Sequence, residues 1–453
     1  MDYQSRLLKS IPGGAHTYSR GYDQFPNNAP PILSHGKGVN VFDLNGRAFL
    51  DYGMALRAVN VGYAEAAIDA AAIEQIYKGN NLTRPSLVEL EAAELLISLV
   101  DSVEMVKFTK TGSSAVSAAV KLARAYTGKD LVARCAQHPF FSYDDWFISS
   151  TEITRGIPTE ESAYVKQFDY NDIESLTSLI EEFPEKFACV ILEPATVECP
   201  RLQSRNTDSC CSKSPCSRDY CLQKTNFLTQ VQDLCKKNNI VFILDEMITG
   251  FRWDLGGAQK MYGVSPDLTT FGKAMANGYS VSCVGGRREL MELGSIEFEN
   301  RERVFLLSTT HGGEMAGLGA FMATINFMQE FRVVDHLWDY GASLIELMNN
   351  VAHEHGVEKY FKAGGIACSP YYATFDGEMK PSLAFRTLFS QEMIKSGVLM
   401  PWIALAYRHD ESSLERTRIA LERALKVYKQ AIDSGIDTYL EGPSIKPVFR
   451  KFN

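Results

Sequence analysis

No run of 18 uncharged apolar residues occurs anywhere in the 453-residue chain, which excludes a membrane-spanning helix. The first residues, MDYQSRLLKSIPGG, lack the long apolar core of a signal peptide. Positive charge is not in excess: 46 Lys and Arg against 55 Asp and Glu leave a net charge of −9. That balance gives no reason to expect nucleic acid or an anionic membrane as a partner. Internal repeats, low-complexity segments and an independent linker are also missing. These absences predict a soluble, cytoplasmic protein.

What is present is ordinary globular material, 45% hydrophobic and 22% charged. The length suits one large and one smaller domain, with ample residues for a core. One stretch organises the rest, residues 240–278, IVFILDEMITGFRWDLGGAQKMYGVSPDLTTFGKAMANG. Its apolar opening is too short for a globular helix and rich in β-formers. It predicts a strand buried on both faces of a parallel sheet. Asp245 then sits at the carboxyl end of that strand, where open α/β sheets place their ligands. Lys273 follows 28 residues later between Gly272 and Ala274, with room around its amine for a bound carbonyl. An isolated Asp and an isolated Lys would read as a turn cap and a surface cation. The whole stretch decides against that.

LDEMITGFR followed at this separation by TTFGKAMANGY resembles the class III, fold type I, pyridoxal-phosphate aminotransferases. Within them it is most similar to the glutamate-1-semialdehyde aminomutase branch. The resemblance runs from about Pro12 to about residue 425 with one interruption. It implies an α/β fold with a large domain built on a mainly parallel seven-stranded sheet flanked by helices. A smaller α/β domain would come from both chain ends. The expected boundaries are 1–51 and 331–453 for the small domain and 52–330 for the large one. The implied cofactor is pyridoxal 5'-phosphate. Lys273 would hold its aldehyde as a Schiff base, and Asp245 would pair with the protonated pyridine nitrogen.

The remaining motifs extend this expectation. VKFTKTGSSAVSAAVKLARAYTG reads as strand, tight turn and long helix, with Thr111, Gly112, Ser113 and Ser114 at the helix amino end. Free N–H groups, hydroxyls and the positive dipole end make a phosphate cradle there, and the resemblance names Gly112 and Ser113 as the donors. Ser114 stands where the family usually has glutamate, and no role is carried over to it. CAQHPFFSYDDWF corresponds to the family's aromatic-His-Gly segment. It places Phe140 on one face of the pyridine, with a slip of one residue left open, and Met247 would touch the other face. Thr310, in Thr310-His311-Gly312-Gly313, matches a turn that completes the phosphate site of the neighbouring subunit, with Thr309 as the register alternative. It implies a homodimer with shared active sites.

On the substrate side, Arg20 in PGGAHTYSRG matches the position of an arginine that reaches the substrate carboxylate. In GMALRAVNVGYA, Leu56 stands where the aminomutases have tryptophan. Arg57 is either a second anion contact or half of a structural ion pair. Tyr143 and Asp144 are expected to shape the pocket. The stretch carrying the aminomutases' gate-side glutamate is missing near the carboxyl end. The expected activity is therefore amino transfer between an amino donor and a small, anionic carbonyl compound, with an intramolecular aminomutase as the alternative. Five of the ten cysteines, Cys199, Cys210, Cys211, Cys216 and Cys221, crowd into an insertion at about 199–222. Clustering suggests a thiophilic metal. The lack of any histidine or CxxC pair in the stretch argues for free thiols, and no metal site is assigned.

Overall fold

The computed structural model describes residues 2–201 and 225–452. These form two compact units, one made of residues 2–65 and 335–452, the other of residues 66–201 and 225–334. Cys210, Cys211, Cys216 and Cys221 of the insertion lie outside the described residues.

The first unit opens with a short helix, Tyr3–Ser10, whose first turn is capped by the Asp2 carboxylate on the Ser5 N–H at 2.8 Å. Strands β1 (Leu33–Lys37), β2 (Asn40–Asp43) and β3 (Ala48–Asp51) follow. A turn at Leu44-Asn45-Gly46-Arg47, a hairpin signal in the residues, joins β2 to β3 with Val41 opposite Phe49. Asp43 accepts from the Asn45 and Arg47 N–H groups across the turn, and Gly46 supplies the positive φ, +79°, that the turn requires.

Immediately after β3 the backbone does something unusual. Met54, Ala55, Leu56 and Arg57 have φ of 39°, 49°, 63° and 67°, a turn of left-handed helix without a glycine. Left-handed helix costs L-residues roughly 1–2 kcal/mol each, so it occurs mostly as single residues. Nothing in the residue pattern of GMALRA anticipates it.

The second unit is built on a seven-stranded sheet. Its strands are β4 (Met105–Thr109), β5 (Leu131–Cys135), β6 (Val165–Phe168), β7 (Phe187–Leu192), β8 (Val241–Asp245), β9 (Leu268–Phe271) and β10 (Ser282–Gly286), in the order β4-β10-β9-β8-β7-β5-β6. All neighbouring pairs are parallel except those of β10, which runs against β4 and β9. Strands β7 to β10 are buried along their whole length, which explains their continuous apolar and small-residue runs. The helix Gly112–Thr127 packs Val116, Ala119, Val120 and Ala123 into one apolar cluster with Val132, Ile191, Ile243 and Leu268. Its small residues let the helix lie close to the sheet. A capping box between Ser86 and Glu89 starts the helix Leu87–Leu99.

The chain then returns to the first unit. Strands β11 (Phe361–Ile366) and β12 (Ser369–Thr374) form a hairpin, and the two-residue β13 (Val398–Leu399) adds in parallel to β3, Val398 opposite Leu50. The last helix, Glu411–Ser434, starts at an Asp410 cap. No described helix is long and apolar enough to cross a membrane.

Candidate active site

Strand β8 delivers Asp245 to the sheet's carboxyl edge with 2% of its surface exposed. Its Oδ1 accepts from the Met247 N–H at 2.9 Å and from the Thr270 hydroxyl at 3.1 Å. Oδ2 has no hydrogen bond among the described residues. Burial pushes this carboxyl up to about 6, against the opposing pull of the nearby Lys273 charge. A buried carboxylate with one oxygen satisfied and the other open is suited to a cationic or N–H partner from outside the protein. The adjacent Glu246 is different. Its carboxylate takes the Ala258 N–H at 2.9 Å, the Gln259 N–H at 2.8 Å and the Thr249 hydroxyl, so it holds backbone.

Lys273 opens a 3₁₀ turn, Lys273–Ala276, directly after β9 and Gly272. It is half-buried and held at φ +44°, a conformation that non-glycine residues adopt where surrounding structure imposes it. The Met247 sulfur ties this turn to the helix start at 112. A Cβ added to Gly112 would lie 2.8 Å from Met247 Sδ, and one added to Gly272 would lie 2.6 Å from it. Any side chain at either glycine would force the sulfur out. Asp245, Met247, Gly112 and Lys273 are therefore brought together by three separate segments.

At the helix start Thr111 is the N-cap, its hydroxyl accepting from the Ser114 N–H at 3.2 Å. The Gly112 and Ser113 N–H groups belong to the first turn, which has no intrahelical acceptors for them. Ser113 Oγ accepts from the Tyr143 N–H at 3.2 Å, so Tyr143 adjoins the same cradle with its ring exposed. Asp144 accepts from Ser117 Oγ and thereby fixes the loop that carries Phe140. Of the two adjacent rings, Phe141 is core, packed edge-on against Phe147 and His138, whereas Phe140 is 46% exposed. Phe140 also meets Phe147 edge-on.

The turn bearing Thr310 is exposed, with the Thr310 carbonyl accepting from Asn81 Nδ2 at 3.0 Å. Beside it Asn80 and Lys110 both bond the Glu314 carboxylate. Two contributors escaped the sequence reading. Thr270 was unremarkable inside LTTF, yet it fixes Asp245. His138 accepts the Glu193 N–H at 2.9 Å on Nδ1, and burial depresses its pKa to about 3, keeping it neutral. Neither leaves a signal that distinguishes it from a core strand residue or a buried histidine.

Arg20 and Arg57 both lie in the first unit. Arg20, exposed, lines a cavity of about 460 Å³ together with Asp51, Ala55, Leu56, Tyr63 and Trp402. Arg57, half-buried, donates from Nη1 to Ser369 Oγ at 3.0 Å. Cys199 is buried, with its sulfur 3.7 Å from the Tyr262 hydroxyl. Among the described residues no group of three or more His, Cys, Asp or Glu is placed to hold a metal ion.

The family model for class-III aminotransferases matches residues 21–199 and 220–374. The 3-aminobutyryl-CoA aminotransferase of Cloacimonas acidaminovorans is 31% identical over 93% of this chain and 95% of its own length. The glutamate-1-semialdehyde 2,1-aminomutase of Archaeoglobus fulgidus is 28% identical over 93% of this chain and 98% of its own. Among solved structures, the FumI protein of Sphingopyxis sp. MTA144, in a pyridoxal-phosphate-bound form, shares the fold at a TM-score of 0.80. It is 23% identical, over 96% of this chain and 97% of that one. The residues described above fit pyridoxal phosphate: a carboxylate oxygen without a hydrogen bond among the described residues, a half-buried amine, first-turn N–H groups without intrahelical acceptors and two glycines that keep a Cβ out of the gap.

Proposed function

Since the chain belongs to the class-III aminotransferases, which depend on pyridoxal phosphate, we propose that it moves an amino group between an amino donor and a small, anionic carbonyl compound, using Lys273 and Asp245. When bound, the cofactor supplies the carbonyl that receives the amine and a ring that delocalises an electron pair at the reacting carbon. Lys273 is the residue that holds the cofactor covalently before substrate arrives. Its Nζ, once free, would move the proton between the substrate carbon and the cofactor's carbonyl carbon. Asp245 keeps its charge beside the ring nitrogen and so holds a proton there. Gly112 and Ser113 bind the phosphate through N–H groups, Phe140 and Met247 enclose the ring, and Arg20, Arg57 and Tyr143 receive the substrate.

The observation that carries this reading is the half-satisfied, buried Asp245 set beside Lys273. A homodimer is part of it. Ile73, Ile76, Tyr77, Leu87 and Leu90 stand exposed along the helices Ala66–Tyr77 and Leu87–Leu99, an apolar face that a second copy would cover. Thr310 would then serve the other copy's phosphate site. A reducing, cytoplasmic setting accords with the six described cysteines, all free thiols.

The test is to load the protein with pyridoxal phosphate, convert it with an amino donor, remove the donor, and then offer a series of keto acids. Free exchange of partners is expected. Turnover confined to a substrate that never leaves would replace this reading by an intramolecular aminomutase. In parallel, Lys273→Ala should lose the visible absorption of lysine-bound cofactor; its survival would place the linkage on another residue.

A further inference from the structure

Apart from Arg57, the left-handed turn Met54–Arg57 has no role in the chemistry above, yet four consecutive residues in it hold positive φ. It is held from every side. Asp51 Oδ1 accepts from the Gly53 N–H at 2.7 Å, and Oδ2 accepts from the Met54 N–H at 3.1 Å and from the Tyr63 hydroxyl at 2.6 Å. Trp402 Nε1 donates to the Gly53 carbonyl at 2.9 Å. A Cβ on Gly53 would lie 2.9 Å from Asp51 Oδ1, so only glycine lets the carboxylate approach this closely. Farther along, the Val59 N–H reaches back to the Met54 carbonyl at 3.3 Å, and Arg57 is fastened to Ser369 Oγ. Strain that persists under so many restraints is a pointer to a functional demand. The demand is visible in what the turn presents: Ala55 and Leu56 in the wall of the 460 Å³ cavity that also contains Arg20.

We propose that Asp51 is a positioning residue for substrate recognition. Through Gly53, Met54 and Tyr63 it holds residues 54–57 in the one shape that turns Leu56 into the cavity wall and Arg57 onto Ser369. Asp51 borders the cavity, but both its oxygens are taken up by Gly53, Met54 and Tyr63, so it acts through the chain it bonds. Its buried anion organises N–H groups and a phenol, and their hydrogen bonds set the turn whose Ala55 and Leu56 wall the cavity that Arg20 also lines. The substrate class this fits is a carboxylate or other anion carried on a short apolar body. Tyr63 is the second half of the device, because its hydroxyl reaches the carboxylate from twelve residues along the chain. This inference rests on the reading that Arg20 and Arg57 receive the substrate.

The experiment uses the full-length, cofactor-loaded enzyme and the variants Asp51→Asn, Tyr63→Phe, Ala55→Gly and Arg57→Gln. Hydrogen exchange of amides 53–59 should speed up by about tenfold or more in Asp51→Asn and Tyr63→Phe, with the seven-stranded sheet unaltered. For whichever of L-alanine, β-alanine and L-glutamate the enzyme uses best, KM should rise about tenfold while kcat changes by less than about threefold. Ala55→Gly should melt at the same temperature or higher, because glycine adopts positive φ without strain. Unchanged exchange at 53–59 would overturn the proposal, as would a fall in kcat equal to the rise in KM or a lower melting temperature for Ala55→Gly. Arg57→Gln separates the two levels. If it leaves KM unaltered, the reading of Arg57 as a substrate contact fails. If it raises KM and Asp51→Asn does not, the positioning role of Asp51 fails instead.

Discussion

Two buried aspartates, each at the end of a strand, have opposite relations to their surroundings. Asp245 ends β8 with one oxygen bonded to Met247 and Thr270 and the other without a described hydrogen bond. Asp51 ends β3 with both oxygens engaged, by two backbone N–H groups and a phenol. Burial raises the pKa of both. The difference lies in what the charge is for. A carboxylate left partly unsatisfied is reserved for a partner that arrives later, whereas a fully bonded one shapes the chain that bonds it. Regular elements carry the first, and an irregular, strained turn is the product of the second.

The sharpest way to separate reaction from scaffold is Lys273→Ala, which removes the amine that both anchors and moves protons. Turnover should drop by about 10³-fold or more, with the melting temperature of the cofactor-free protein nearly unaltered. A loss of only a few-fold would assign the proton work to another group.

Asp245→Asn should divide stability from function. The folded-state pKa of Asp245, about 6, lies above its ordinary 3.8. Below about pH 4 the group is protonated in both folded and unfolded chains and contributes nothing to the difference. As pH rises from about 4 to 6 the unfolded chain releases its proton first, so the folded state loses stability, by roughly 3 kcal/mol once both are ionised. The cofactor-free Asn variant should escape that loss and melt higher than the parent at pH 8, but not at pH 4, in calorimetric scans. The same variant should lose about 100-fold in turnover, because its neutral amide cannot hold the ring nitrogen protonated.

Asp51→Ala should have the reverse pattern, a loss of about 2–3 kcal/mol of stability in denaturant titration with cofactor affinity intact. If it instead loosened the cofactor, the contrast between the two aspartates would dissolve. The smallest effect is expected at Glu246→Gln, beside Asp245 in sequence but bonded to Ala258, Gln259 and Thr249. About 1–2 kcal/mol of stability should go, with kcat altered by less than about threefold. A larger change in kcat would show that Glu246 takes part in the chemistry.

The strand Val241–Asp245, the helix start at Thr111 and Gly112, the Ser86–Glu89 capping box and the LNGR hairpin were all legible in the residues, because each depends on neighbours a few positions away. The association of Asp245 with Lys273 was legible only through the resemblance, since the two follow different strands, β8 and β9. Phe140 could be placed only to within one residue, because two adjacent phenylalanines are chemically equal until the core takes one of them. Thr270 and His138 were invisible, their roles being decided by which strand or loop lies beside them.

From its residues alone, then, this chain determined a buried strand ending at Asp245 and the helix start at Thr111 and Gly112, because hydrophobic period and capping act over short distances; the cofactor and its lysine came from the resemblance to a family. Tertiary structure decided the handedness of residues 54–57, the grip of Tyr63 on Asp51 and the seat of Arg57 on Ser369, 312 residues away. A conformation that isolated residues would refuse exists only where long-range hydrogen bonds outweigh its strain, and no local pattern encodes those partners.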